Sequence, residues 1–162
     1  MPSIPNNTFP ASYDLTTKVI SAAVSVILLI VVVVTHSVLV GGLAALLVVA
    51  AYAYSPRGYS ISERSIIVER LIGEVRIPLH EIREARAATP DDFRGCIRLF
   101  GSGGLFGYYG VFLTSRLGRS TWYVTNRRNA VVVIAGAKTV VFSPGDVDRF
   151  VAAIRPLVTE RH

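Results

Sequence analysis

The segment VISAAVSVILLIVVVVTHSVLVGGLAALLVVAAYAY, from Val19 to Tyr54, contains no Asp, Glu, Lys or Arg and a single histidine, His36. As one helix it would be about 54 Å long, far more than a hydrocarbon core of about 30 Å. A break near Thr35-His36-Ser37 gives two spans of about 17 residues each, at the short end of the range that crosses a bilayer. The segment therefore predicts a two-helix transmembrane hairpin, with helices at about residues 19–35 and 38–54.

The charges that flank the hairpin indicate its orientation. Lys18 precedes the first span, and Arg57 and Arg64 follow the second, whereas the connecting turn has no Lys or Arg. The positive-inside rule then places both ends of the hairpin in the cytoplasm. We expect a two-pass protein of the cell membrane with both termini cytoplasmic. Its parts are an N-terminal cytoplasmic tail (1–17), the transmembrane hairpin (18–54) and a C-terminal domain (55–162).

Short runs of β-branched and aromatic residues fill the C-terminal domain. They include Ser65–Ile72, Thr121–Thr125, Ala130–Ile134 and Thr139–Phe142. Short strands at close spacing predict a small antiparallel barrel or sandwich. The whole net charge of +6 belongs to this domain, because Asp14 and Lys18 cancel each other before it. Its basic residues are spread along the sequence, so they are either simply solvated or drawn to anionic lipid headgroups.

The end of the chain has the pattern of one amphipathic helix. Ser143 is a good N-cap residue and Pro144 suits the first helical position. After them, Val147, Phe150, Val151 and Ile154 recur at i, i+3, i+4 and i+7, which is one apolar face of a helix. We expect this helix to end near Pro156 and to cover one end of the barrel.

The segment Ile97-Arg98-Leu99-Phe100 followed by GSGGLFGYYG (Gly101–Gly110) resembles the signature of the bacterial pleckstrin-homology-like domain family. The resemblance extends from about Tyr59 to Leu157. It implies an all-β barrel of about seven strands capped by the C-terminal helix, and membrane association through N-terminal spans. It implies no enzymatic activity. Phosphoinositide-binding members of the wider pleckstrin-homology group carry several basic residues in the first strand–strand loop, whereas the corresponding loop here, Ser62–Ser65, has one.

The glycines of Gly101–Gly110 do not predict a phosphate cradle, because a strand and not a helix follows them. They predict a loop with positive φ angles or close backbone approach. Its aromatic residues either fold back on the barrel or project as a surface for a peptide, a membrane or a partner protein. The candidate interaction surface consists of Leu105, Phe106, Tyr108, Tyr109, Arg127 and Arg128.

No catalytic constellation is recognisable in the sequence. There is no HExxH, GxSxG, CxxC or Walker motif, so we predict no catalytic, metal-binding or cofactor-binding residues. Asp91 and Asp92 follow a proline and are expected in a solvated loop. The lone Cys96 is expected to act as a small buried apolar side chain.

The sequence therefore favours a membrane-anchored, non-enzymatic binding or scaffold module of unknown ligand, presented at the cytoplasmic face. Its expected partners are the lipid bilayer and a protein partner or a second copy, with no nucleic acid and no small-molecule substrate. The alternative is a small accessory subunit of a larger membrane protein complex that uses the small residues Gly41-Gly42 and Ala44-Ala45 for helix contacts. A membrane-associated enzyme is the least favoured hypothesis.

Overall fold

The computed structural model describes residues 7–159, which form three α-helices and ten β-strands. Residues 1–6, within the expected tail, and 160–162 lie outside the described residues. In chain order the elements are β1 (Asn7–Pro10), α1 (Leu15–Thr35), α2 (Val38–Tyr54), β2 (Gly58–Ile61), β3 (Ser65–Glu69), β4 (Val75–Pro78), β5 (Ile82–Ala87), β6 (Ile97–Gly103), β7 (Tyr108–Thr114), β8 (Gly118–Val124), β9 (Val131–Ala135), β10 (Lys138–Phe142) and α3 (Val147–Thr159).

The two N-terminal helices are joined by only two residues, His36 and Ser37. The side chain of Asp14 caps the first helix by accepting a hydrogen bond from the backbone N–H of Thr17 at 2.7 Å. The helix ends where His36 adopts a left-handed conformation with φ of 48°, a common helix terminus. The hydroxyl of Ser37 then caps α2 by accepting from the N–H of Val40. Local caps at both helices therefore fix the position of the turn.

The strands form two sheets, one ordered β1-β2-β3-β4 and one ordered β5-β9-β10-β8-β7-β6. Within the described residues, no strand of one sheet pairs with a strand of the other, so the strand pairing does not close a barrel of about seven strands. The break follows β4, which ends at Pro78, a residue with no N–H to donate. A 3₁₀ turn at Leu79–Glu81 redirects the chain, and β5 then pairs with β9.

One core joins both sheets and the C-terminal helix. Tyr59 and Ile66 come from the first sheet, Phe142 comes from the second and Phe150 comes from α3, and all four are fully buried. The aromatic rings pack edge to face, with centroids 5.6 Å apart for Tyr59 and Phe142 and 6.2 Å apart for Tyr59 and Phe150. The predicted apolar face of α3 is thus confirmed as part of the core. The helix packs against residues of both sheets.

The N-terminal segment before the hairpin is a strand of the first sheet. β1 pairs with β2 in antiparallel register, with Phe9 opposite Tyr59. The Phe9 side chain is buried and its ring lies 5.1 Å from that of Phe150. The hairpin is therefore inserted between two adjacent strands, an arrangement that the sequence pattern did not reveal because β1 has only four residues and ends in proline.

Two expectations about α3 are wrong. The helix begins at Val147, and Asp146, not Ser143, caps it by accepting from the N–H of Arg149 at 2.9 Å. The helix also continues through Pro156 to Thr159. A proline lacks one hydrogen bond of the helix but does not end it when its ring can be accommodated near the terminus.

A second core covers the other face of the six-stranded sheet and includes Phe112, Trp122 and Val132. Asp92 is fully buried, so the expectation of a solvated loop is wrong for this residue. Its carboxylate accepts two hydrogen bonds from Arg86, at 2.7 and 2.8 Å, and two more from the backbone N–H and hydroxyl of Thr89. Cys96 packs at the edge of this core and is half-buried.

Candidate functional site

The loop between β6 and β7 is docked on the base of the helical hairpin. The backbone N–H of Phe106 donates a hydrogen bond to the hydroxyl of Ser21 in α1 at 2.8 Å. The hydroxyl of Ser55, at the end of α2, donates to the carbonyl oxygen of Phe106. The phenol of Tyr109 donates to the carbonyl oxygen of Ala51 at 2.6 Å. Hydrogen bonds to both helices hold this loop, so the loop and the hairpin base form one structural unit.

Positive φ angles at Gly104 and Phe106 let the loop approach the helices this closely. Gly104 has φ of +140°, and a β-carbon at that position would lie 3.0 Å from Cγ2 of Ile20 in α1. Phe106 has φ of 56°, a conformation that is uncommon for residues other than glycine. The strain is offset by packing, because the Phe106 ring meets the ring of Tyr52 edge to face at 5.3 Å.

A second, largely buried hydrogen-bond network connects the start of α1 to the C-terminal domain. The hydroxyl of Thr17 donates to the carbonyl oxygen of Thr125 at 3.0 Å. The hydroxyl of Ser143 accepts from the N–H of Thr125 at 2.7 Å, and the phenol of Tyr59 donates to the carbonyl oxygen of Tyr123 at 2.6 Å. Burial raises the pKa of Tyr59 far above its ordinary value. The network therefore stays neutral, and it links the base of the hairpin to the C-terminal domain.

The structure divides the candidate interaction surface between different environments. Leu105, Phe106 and Tyr109 lie at the hairpin base. Tyr108 is buried in the second core, because adjacent residues of a strand point to opposite faces. The guanidinium of Arg127 lies 4.1 Å from the centroid of the Tyr108 ring, and its buried Nε has no hydrogen-bond partner among the described residues. Arg128 is exposed.

Sequence reasoning missed the polar residues that connect the base of the hairpin to the C-terminal domain. We call this connection, made by Thr17, Ser21 and Ser55 with the loop between β6 and β7 and with Thr125, the joint. The hydroxyl of Ser21 is buried and accepts a hydrogen bond from the loop between β6 and β7, not from the neighbouring helix. Thr17 and Ser21 are four residues apart, so they share one face of α1. That polar face at the beginning of an otherwise apolar helix is the signal that could have identified the joint.

A cavity of about 880 Å³ lies beside the joint, between the two helices and the paired ends of β6 and β7. Its wall includes Ile20 and Val24 from α1, and Leu47 from α2. Arg70 and Arg98 contribute the charged groups. Burial raises the pKa of the two phenols of Tyr109 and Tyr123, so both are neutral hydrogen-bonding groups at physiological pH.

A bacterial PH domain family model matches residues 57–158 of the chain. The protein belongs to the bacterial PH domain family. The predicted resemblance is thereby confirmed over most of the C-terminal domain. Comparisons with curated proteins and with solved structures give no match.

Bacterial PH domain membership assigns a binding or scaffold module, since PH domains are generally not enzymes and bind lipids or proteins. No group of three or more His, Cys, Asp or Glu side chains in the described part of the chain is arranged to hold a metal ion. The clustered polar groups of the PH domain face the hairpin base and the cavity, which makes this junction the candidate functional site.

Proposed function

We propose that the protein is a two-pass, membrane-anchored PH module that presents a non-enzymatic binding surface at the cytoplasmic face. The hairpin (18–54) crosses the bilayer, and the PH domain (55–162), completed by β1, stays at the cytoplasmic surface. The connecting turn at His36 and Ser37 lies outside. Holding the domain at the membrane raises its effective concentration for partners that are also bound there.

The exposed apolar surface of the hairpin is the observation that carries this proposal. α1 has 21 residues, a mean hydropathy of 2.7 and little burial, and by length and composition it is able to cross a membrane. α2 has 17 residues, so it is shorter than α1. Leu29, Leu39 and Leu46 are each more than 60% exposed. Apolar surface on this scale is unfavourable in water but is satisfied in lipid.

Exposed apolar side chains of the PH domain support the same placement. Ile72 is 54% exposed, and its N–H donates to the carbonyl oxygen of Ala53 at the end of α2. Phe100 is 76% exposed and lies beside the cavity wall formed by α1 and α2. Tyr52 and Tyr54 are half-exposed at the same level, as in the aromatic belt of a membrane interface. These residues would sit among lipid headgroups.

The alternative is an accessory subunit of a larger membrane complex. Gly41 lies against Val32 of α1, but a β-carbon at Gly42 would meet nothing within 4 Å. The outer face at Gly42 therefore has room for close approach of a partner helix. A partner that stays bound to the hairpin in mild detergent, and is lost in a Gly42→Leu variant, would favour this function.

Cysteine labelling in intact cells tests the proposed topology. In a Cys96→Ala background, one cysteine replaces Val38, which is 93% exposed next to the turn, and another replaces Ser115, which is exposed between β7 and β8. A membrane-impermeant maleimide should label the Val38→Cys protein in intact cells and the Ser115→Cys protein only after lysis. Labelling of Ser115→Cys in intact cells, or recovery of the chain without detergent, contradicts the proposal.

A further inference from the structure

The cavity at the hairpin base combines an apolar wall with unpaired positive charge. Ile20, Val24 and Leu47 belong to the membrane-facing helices, and Leu105 covers the cavity from the PH domain. Val24 lies nine residues into α1, about 14 Å along its axis. The apolar wall therefore extends well along the hairpin, while the arginines lie at the end nearest the PH domain. A volume of about 880 Å³ lies within the range of about 300–1,000 Å³ that is usual for small-molecule sites.

Arg70 and Arg98 both line the cavity and carry its positive charge. Arg70 donates from Nε to the carbonyl oxygen of Gly73 at 2.9 Å, which leaves its two terminal amino groups available. Its guanidinium lies 5.7 and 5.9 Å from the ring centroids of Tyr54 and Tyr123, which orient it. In the described part of the chain, no carboxylate forms an ion pair with Arg70 or Arg98.

Arg98 occupies the space that a side chain at position 103 would need. A β-carbon at Gly103 would lie 3.1 Å from a terminal nitrogen of Arg98. Because Gly103 has no side chain, the Arg98 guanidinium can pack against the backbone of β6 at that position. No acidic residue lines the cavity, so the two guanidinium groups are not neutralised. Guanidinium groups recognise phosphate well, because their paired N–H groups match two phosphate oxygens.

We propose that this cavity binds one anionic phospholipid, with its phosphate on Arg70 and Arg98 and an acyl chain along α1 and α2. The site rests on the proposed membrane function, since its apolar wall is formed by the hairpin. It differs from the headgroup site that phosphoinositide-binding pleckstrin-homology domains carry at the first strand–strand loop, because no residue of Ser62–Ser65 lines it. It also differs from diffuse attraction of the whole basic domain, because it holds a single lipid at defined residues.

Native mass spectrometry of the full chain, extracted in detergent micelles, tests this site. Dioleoyl phosphatidylglycerol and dioleoyl phosphatidylcholine are added separately over a range of concentrations. One phosphatidylglycerol should be retained at a concentration at least tenfold lower than phosphatidylcholine requires. The Arg70→Gln, Arg98→Gln double variant should lose this preference. The matched control is the Arg83→Gln, Arg119→Gln double variant, which removes the same charge from two exposed arginines outside the cavity and should keep the preference.

A second pair of variants tests the apolar wall without changing charge. Ala50→Phe places a ring in the cavity and should weaken retention of phosphatidylglycerol at least tenfold. Ala45→Phe, on the same helix but outside the cavity, should leave retention unchanged. Emission from the single tryptophan, Trp122, which is fully buried, reports whether each variant is folded.

Three results would contradict the lipid site, and they point to two different explanations. Equal retention of the two lipids, or equal loss in the cavity and control arginine variants, overturns the site and leaves only diffuse attraction. Competition by inorganic phosphate or glycerol phosphate at the lipid's own concentration shows a soluble-anion site and overturns the lipid assignment. None of these results bears on topology. A chain that needs no detergent would instead overturn the proposed membrane function.

Discussion

At the residue scale, Asp92 shows how one buried charge organises the second core. It is the only fully buried acidic side chain in the described part of the chain. The Arg86 guanidinium holds the pKa of this carboxyl well below its usual range, against the opposing effect of burial. Arg86 is partly exposed, so solvent weakens the ion pair to some degree. The two residues fix the turn that carries Phe93 onto Trp122.

The depressed pKa of Asp92 gives stability a defined pH dependence. A carboxyl whose folded pKa lies below its unfolded value of about 3.9 stabilises the fold fully above that value. The contribution is lost as pH falls through the folded pKa. We expect Asp92→Asn to be destabilised at pH 7, by up to the roughly 3–5 kcal/mol typical of a broken buried pair. We also expect the difference from the wild type to shrink as pH falls below about 4.

Urea unfolding followed by Trp122 emission at several pH values measures this dependence. The control is Asp91→Asn, since the Asp91 side chain is 59% exposed and its one ion pair among the described residues is with Arg94. It should change the free energy of unfolding by less than about 1 kcal/mol. A constant difference between Asp92→Asn and wild type from pH 7 to pH 3 would show that the Asp92 charge is not what stabilises the turn.

The contact between Ser21 and Phe106 can be tested in the same way, by removing one hydrogen-bonding group. In Ser21→Ala the N–H of Phe106 loses its partner, and an unsatisfied buried donor costs about 1–3 kcal/mol. Amide hydrogen exchange of the segment from Gly104 to Gly107 should therefore become faster in micelles. Ser25→Ala lies one turn further along the same helix and makes no contact with Phe106 in the described hydrogen bonds, so it serves as the control. Equal exchange in both variants would show that the joint does not depend on this bond.

At the scale of elements, the sequence correctly predicted that α3 is a helix and which of its faces is buried. It did not predict the residues at which this helix begins and ends. The spacing of Phe150, Val151 and Ile154 follows the helical period, so the buried face could be predicted. The first cap could not, because Ser143 and Asp146 are both good capping residues. The choice depends on tertiary contacts: Ser143 is engaged by Thr125 and Tyr59, which leaves Asp146 to cap the helix.

Phe150→Ala tests the role of α3 in the core. The ring is fully buried and contacts Phe9, Tyr59 and Phe142. Its loss should lower the free energy of unfolding by about 3–5 kcal/mol, a large share of the 5–15 kcal/mol typical of a domain. Arg149→Ala removes only an exposed guanidinium above Phe9 and should cost at most about 1 kcal/mol. Similar small losses in urea unfolding would mean that α3 does not hold the sheets together.

At the scale of the whole molecule, the hairpin is inserted between two paired strands of the first sheet. β1 precedes it and β2 follows it, and the two strands pair. A fragment of residues 56–162 therefore lacks one strand of the first sheet and exposes the surface covered by Phe9. We expect this fragment to be less stable than one in which residues 7–14 are joined to residue 56 by a flexible Gly-Ser linker that replaces the hairpin.

Thermal unfolding of the two fragments by circular dichroism measures the difference. Phe9→Ala in the linked fragment is the control, because it removes the buried ring while keeping the strand. It should bring the melting temperature most of the way down to that of the 56–162 fragment. Identical melting temperatures for the linked and unlinked fragments would show that β1 contributes nothing to the fold.

The sequence alone determined the features that are encoded locally: two apolar helices with a break between them, an amphipathic helix at the end, and the glycine-aromatic signature of the family. Periodicity and composition specify these because each depends on residues close together in the chain. Only the tertiary structure decided that β1 joins the sheet, that Ser21 meets Phe106, and that Asp92 is buried against Arg86. Ser21 and Phe106 are 85 residues apart. A local sequence pattern does not indicate which distant group will form a hydrogen bond with a buried polar atom. Such partners are fixed only when folding removes water from both of them.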